Sequence, residues 1–220
     1  MELVGLDRDG TINKDDNYLL GSSNDWREQV EILPGVVEGI RRLNALSDLE
    51  VFIITNQAGV ALKGPQFDLL DEKRMHEVND YIIGLLSEQD AKVRGCFTCP
   101  FVDLKYVEKS RKRGREVHEH YIIDNHPDLK PNTGMLRKAA ESLGLTLEQC
   151  SFDFIGDRLS DVQMGLNANG RGILIPSVKT IELGDVAKVE ALKKSYSDRV
   201  YVASDFLDAA RYIERIVSTR

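Results

Sequence analysis

The sequence predicts an α/β fold, a Rossmann-like three-layer α/β/α sandwich around a mainly parallel sheet. Three observations lead there. Short β-branched or aromatic runs recur along the 220 residues, longer stretches with helical spacing separate them, and polar residues follow directly on the apolar runs. Strands that alternate with helices give a parallel sheet covered on both faces.

The strands are read in order as LVGL at 3–6, VFIIT at 51–55, FDFIG at 152–156, GILIP at 172–176 and RVYVAS at 199–204, with GCFTC at 95–99 a weaker candidate. Between them, residues 36–46 place Val36, Ile40, Leu43 and Leu46 near one face, with Pro34 close to the start. Residues 67–89 carry the longest amphipathic pattern. A further helix is expected from 134 to 143, stopped by Gly144. Residues 205–217 close the chain, and 177–220 as a whole reads as helix, strand and helix with no chemistry assigned to it. The stretch from about 100 to 131 breaks the alternation and is expected to be a long loop, inserted in a single domain spanning 1–220.

Composition narrows the function classes. A net charge of −7 argues against general nucleic-acid or membrane binding and leaves room for a local basic site. Such a site is offered by Lys105, Lys109, Arg111, Lys112, Arg113 and Arg115, either a solvated charge run or a flap that attracts an anionic substrate. Three cysteines, Cys96, Cys99 and Cys150, do not make a disulfide framework. A strand-like run beginning at Glu2 and the lack of a long apolar run lead to the expectation of a cytoplasmic protein, a monomer or weak dimer, with no membrane partner.

The chemistry gathers where strands end. Asp7 and Asp9 follow the first, Thr55, Asn56 and Gln57 the second, and Asp157 and Asp161 the FDFIG run, while Lys130 precedes a helix. In an open parallel sheet, ligands bind beyond the carboxyl ends of the strands. Asp7 and Asp9, two residues apart, lie on the same side of an extended backbone. Crowded carboxylates either hold protons or bind a cation, and an all-oxygen set suits Mg²⁺. A nucleophilic carboxylate, a divalent cation, a lysine and backbone N–H donors together describe phosphoryl transfer.

Four motifs in order, DRDGT at 7–11, IITNQ at 53–57, LKPNTGM at 129–135 and IGDRLSD at 155–161, resemble those of the haloacid dehalogenase (HAD) superfamily of phosphohydrolases over about residues 2–176. The finer resemblance, in DRDGTIN, ITNQAGV, KPNTGM and GDRLSDVQ, is to the branch of the heptose bisphosphate and histidinol phosphatases. It implies a HAD-like fold without a large cap domain, a small phosphorylated metabolite as partner, and Mg²⁺ as cofactor. By the same resemblance Asp7 is the nucleophile and Asp9 the acid/base. One of these two carboxylates should be ionised while the other carries a proton. Mg²⁺ would be held by the Asp7 carboxylate, the Asp9 carbonyl and Asp157, and the phosphoryl group by Thr55 and Lys130. Substrate would be contacted by Asn56, Gln57, Arg158, Asp15 and Tyr18, with Asp161 supporting.

The pattern departs from the branch in places. Its structural zinc loop keeps Cys99, but Phe101, His126 and Asp128 stand at the other ligand positions, and Leu129 replaces an arginine that contacts substrate. Cys96, Cys99, His118, His120 and His126 are candidate zinc ligands; packed thiols and surface histidines are favoured over zinc, because positions i and i+3 of a strand face opposite ways. A sugar phosphate such as heptose bisphosphate is the first expectation for the substrate. Histidinol phosphate and the 3′-phosphate of a nucleic-acid end are the enzymatic alternatives, and a phospho-acceptor or an inactive binding protein the non-enzymatic ones.

Overall fold

All five residues of the first strand, β1 (Glu2–Leu6), are buried, as the middle of a sheet covered on both sides requires. The computed structural model describes residues 1–14 and 20–219. After β1 come α1 (Val36–Asn44), β2 (Leu49–Asn56), β3 (Leu62–Lys63), α2 (Glu72–Ser87), β4 (Gly95–Cys99), α3 (Leu104–Lys112), β5 (Glu116–Val117), α4 (Gly134–Glu141), β6 (Ser151–Gly156), α5 (Leu159–Asn167), β7 (Arg171–Leu174), α6 (Val178–Glu182), α7 (Asp185–Ser195), β8 (Val200–Val202) and α8 (Phe206–Val217). Six strands form one sheet in the order β4-β2-β1-β6-β7-β8, and every pairing in it is parallel.

Side chains alternate across this sheet and define the two outer layers. Val4, Leu6, Val51 and Ile53 pack with residues of α1, α2 and α8, among them Ile40, Ile82 and Phe206. Leu3, Phe52, Ile54, Phe152 and Phe154 face the other way and meet Met135, Leu136 and Ala139 of α4. Gly5 lies on that second face: a Cβ there would stand 2.7 Å from the Phe154 ring, so a bare backbone lets the phenyl fill the middle of the layer. β4 is an edge strand, half-buried over four of its five residues, which accounts for the weak apolar signal of GCFTC. Trp26 is buried and meets Tyr81 edge to face at 5.4 Å, a packing role.

Three sequence expectations change. The amphipathic helix expected from residue 67 begins at Glu72, because the Asp71 side chain accepts a hydrogen bond from Arg74 N and caps the helix there. The stretch at 100–131 is no bare loop. It carries α3, capped by Asp103, and β5, which pairs antiparallel with β3. The signal is hidden because α3 has a single buried residue, Ser110. The C-terminal quarter holds two helices, α6 and α7, before its strand instead of one. Among the described residues no helix is long and apolar enough to cross a membrane.

One buried polar cluster lies at the opposite end of the sheet from the strand ends discussed below. The Arg171 guanidinium donates to both oxygens of Asp153, at 2.5 and 2.6 Å, and to Glu2 Oε1 at 3.1 Å. Removing one partner of such a set strands a charge in the interior. Arg171→Ala is expected to cost about 3–5 kcal/mol in urea unfolding; a loss below about 1 kcal/mol would mean water reaches Asp153.

Candidate active site

The carboxyl ends of three adjacent strands meet in one crevice. β1 leads to Asp7, β2 ends in Thr55 and Asn56, and β6 leads to Asp157. Chain order runs outward from β1 in both directions, to β2 on one side and β6 on the other, the kind of switch point where open α/β sheets bind ligands. Lys130 enters from the segment before α4. Its Nζ stands 2.7 Å from Asp7 Oδ1, 2.7 Å from Asp161 Oδ1 and 3.3 Å from the Ile54 carbonyl oxygen. A cleft of about 520 Å³ opens above these groups, with Asp7, Asp9, Thr55, Lys130, Asp157 and Arg158 in its wall. Its size suits a small molecule.

The local chain explains the close approach. Gly10 adopts φ +85°, and a Cβ there would lie 2.6 Å from Asp157 Oδ2. Only glycine lets the turn after Asp9 pass that carboxylate. Asn56 Oδ1 accepts a hydrogen bond from Lys130 N at 3.2 Å, so the second strand end fixes the lysine-bearing segment. Thr55 Oγ1 accepts from Gln57 Nε2 at 2.9 Å.

Asp7, Asp157 and Asp161 are buried, with carboxylate oxygens within 4.8 Å of one another, and no other group of this kind is found among the described residues. Burial, reinforced by the charges of Asp7 and Asp161, pushes Asp157 up to about 7. Burial also raises Asp161, to about 6, against the pull of Lys130. Lys130 is held above the ordinary lysine range: burial disfavours its charge, but Asp161 and Asp7 outweigh burial. Three buried oxygen ligands with this much mutual repulsion fit a hard divalent cation of the Mg²⁺ kind.

Asp9 keeps different electrostatic company from Asp7. The sequence expectation gives its backbone carbonyl to Mg²⁺ and makes the two carboxylates a pair, one ionised and one protonated. The Asp9 carboxylate turns to Arg8, which is 2% exposed. It accepts hydrogen bonds from Arg8 Nε at 2.9 Å, Arg8 Nη2 at 2.7 Å, Gln57 Nε2 at 2.8 Å and Asn13 Nδ2 at 3.2 Å. Burial alone would raise Asp9, but the Arg8 charge and these donors hold it below the usual carboxylate range. The carboxylates clustered with Asp7 are those of Asp157 and Asp161, and these are the raised groups.

Several members of the site were not anticipated. Arg8 also donates to Asn79 Oδ1 of α2, at 2.7 Å; a polar residue beside the apolar stripe of Val78 and Ile82 was the available signal. Ser177 Oγ donates to Asp157 Oδ2 at 2.7 Å, Thr180 Oγ1 donates to the Asp157 carbonyl, and Asp185 Oδ2 accepts from Arg158 Nε at 3.1 Å. The stretch 177–220 therefore does contribute to the site; its polar residues follow the end of β7 as the others follow β1, β2 and β6. Asp161 Oδ2 accepts from Arg158 N at 2.9 Å. Asp15 and Tyr18 lie outside the described residues.

The structure does not gather the candidate zinc ligands. Cys99 faces the α4 side of the sheet and Cys96 packs against the opposite layer. Burial pushes the Cys99 thiol up to about 11 and the Cys96 thiol to about 12, far from the thiolate a metal needs. His126 stacks on Phe101 at 4.1 Å, and the His118 and His120 rings sit 5.5 Å apart.

The profile of the HAD-hydrolase-like family matches residues 129–209. The D-glycero-alpha-D-manno-heptose-1,7-bisphosphate 7-phosphatase of Campylobacter jejuni is 33% identical over 175 residues, covering 79% of this chain and 82% of that protein. The D-glycero-D-manno-heptose-1,7-bisphosphate 7-phosphatase of Chlorobaculum tepidum is 30% identical over 179 residues, covering 79% and 78%. A crystal structure of D,D-heptose 1,7-bisphosphate phosphatase from B. bronchiseptica, complexed with magnesium and phosphate, aligns with a TM-score of 0.68 at 22% identity, over 98% of this chain and 99% of that one, and so shares the fold.

The raised Asp157 and Asp161 carry a pH dependence. Below about pH 4 both are protonated folded or unfolded. As pH rises toward 7 the unfolded chain ionises them freely and the folded one resists, so stability falls through that window. In chelator, unfolding at pH 5 and pH 8 should show the wild type losing up to about 3 kcal/mol more than Asp157→Asn. Equal pH slopes for the two proteins would refute the assigned repulsion.

Proposed function

The chain belongs to the HAD-like hydrolases, in the branch of the heptose bisphosphate phosphatases, and on that premise we propose that it hydrolyses a sugar phosphate through a phosphorylated Asp7. It is a phosphoric monoester hydrolase by kinship. The observation that carries the finer assignment is the Lys130 ammonium held 2.7 Å from Asp7 at the mouth of three strands.

Asp7 Oδ attacks phosphorus, the bond from phosphorus to the sugar oxygen breaks, and an aspartyl phosphate forms on Asp7. Lys130 and the Thr55 hydroxyl hold the phosphoryl oxygens, and burial makes their fixed charge and dipole effective. Asp9 delivers a proton to the departing sugar oxygen. It starts ionised under the grip of Arg8, so it must be loaded first; a phosphate monoester in its monoanionic form brings that proton with it. Asp9 then accepts a proton from water as the water oxygen attacks phosphorus, and the bond to Asp7 breaks. Gln57 bridges Asp9 and Thr55 and keeps the acid/base beside the phosphoryl group. A Mg²⁺ held by Asp7, Asp157 and Asp161 would supply charge neutralisation for the phosphate. Ser177 and Thr180 keep Asp157 in place for that task.

Heptose bisphosphate is the finer reading of the substrate, supported by the activities named for the Campylobacter and Chlorobaculum proteins.

Asp7→Asn is expected to lower phosphate release by at least about three orders of magnitude, with little change in unfolding, because Asp161 still pairs Lys130. A variant that keeps turning over would remove Asp7 from the nucleophile's place. Chelation should abolish phosphate release and Mg²⁺ restore it; activity indifferent to EDTA would count against a cation among the three aspartates.

A further inference from the structure

Between the two aspartates of the first motif stands a buried arginine. The Arg8 side chain is 2% exposed, while that of Asp9 keeps 16% of its surface open in the cleft wall. The guanidinium presents Nε and Nη2 to the two oxygens of Asp9, one to each, at 2.9 and 2.7 Å. A two-point contact of this kind fixes the plane of a carboxylate as well as pairing its charge. The rest of the fork is also engaged: Nη2 donates to Gln57 Oε1 at 2.9 Å and Nη1 to Asn79 Oδ1 at 2.7 Å. The Arg8 carbonyl accepts from the amides of Thr11, Ile12 and Asn13, so the turn that carries Asp9 winds about this one residue.

Asn79 is the outer end of this chain of contacts. It is buried on α2, beside Val78 and Ile82 of the apolar layer, and its Nδ2 has no hydrogen-bond partner among the described residues. Burying an amide with an idle N–H costs free energy, so packing alone favours an apolar side chain at this place. The single contact that Asn79 makes with its side chain is the one to Arg8. A neutral acceptor suits that contact: an apolar residue would strand Nη1, and a second carboxylate would draw the guanidinium charge away from Asp9. Nor does stability account for the buried Arg8–Asp9 pair, because such pairs add little over well-packed apolar residues of the same volume.

We propose that Arg8 and Asn79 are positioning residues for the acid/base: α2 anchors Asn79, Asn79 holds Arg8, and Arg8 aims the Asp9 carboxylate at the departing oxygen and then at the attacking water. This role rests on Asp9 as the proton carrier of phosphoryl transfer at Asp7. Neither residue touches the reacting atoms. Their effect passes through Asp9, and it is felt only where a proton must be delivered or taken up.

Two esters that differ in what leaves separate this role from a structural one. The sugar alkoxide of heptose bisphosphate needs a proton to depart, and 4-nitrophenolate does not. kcat/KM covers the steps up to that departure, so hydrolysis of the aspartyl phosphate, common to both esters, does not enter it. Asp9→Asn is expected to lower kcat/KM for the heptose ester by about a hundredfold or more and for the nitrophenyl ester by less than about tenfold. Asn79→Leu should show the same split at about tenfold and Arg8→Gln at about a hundredfold, with urea unfolding to verify that each variant folds. In an Asp9→Asn background Asn79→Leu should add nothing further, and this cycle decides alone if Arg8→Gln does not fold. Equal losses on the two esters, or a loss that multiplies with that of Asp9→Asn, overturns the positioning role and leaves the hydrolytic reading intact. A wild type that hydrolyses heptose bisphosphate no faster than Asp9→Asn overturns the assignment of Asp9 and the positioning role with it.

Discussion

Everything in the cleft depends on one ammonium group shared by two carboxylates. Lys130 lies between Asp7 and Asp161, each at 2.7 Å, in a buried setting where water screens the charges weakly. Without it, three acids would be packed into the same corner with no counter-charge, and burial would keep at least one of them protonated. With it, the Asp7 carboxylate has a counter-charge at 2.7 Å. The backbone is bent to serve this arrangement: Asn56 grips the amide of Lys130, and the turn at Gly10 leaves room for Asp157.

A second pairing, between Asp9 and Arg8, divides the labour among the acids. Two carboxylates in one short motif end up in different electrostatic company, one beside a lysine and the other locked to a guanidinium. The distinction arises from direction: Asp7 meets Lys130, while Asp9 is tied to β2's end by Gln57 and, by way of Arg8, to Asn79 of α2. The cleft is thereby split into a corner that meets the phosphate and a flank that holds an ionised carboxylate ready to take up a proton.

Much of this was legible in the sequence, and the reasons differ by residue. β1, β2 and β6 are central strands, and burial on both faces makes them read as continuous apolar runs. Asp7, Thr55, Lys130 and Asp157 were found because each closes such a run or opens a helix. The part that was not legible depends on contacts between segments far apart. Helix α3 buries one residue, so no apolar stripe announces it. Ser177 and Thr180 look like an ordinary helix start, and only the neighbouring position of β7 beside β6 turns them toward Asp157. The role of Arg8 could not be foreseen because its partners, Gln57 and Asn79, come from elsewhere in the chain.

Lys130 and Asp7 are separated by 123 positions in the chain. During synthesis, then, the future nucleophile emerges long before its counter-charge, and the segment up to α3 can assemble β1, β2 and β4 while the cleft still lacks its ammonium. Chemical competence thus arrives late, as a by-product of docking α4 and β6 against strands already paired.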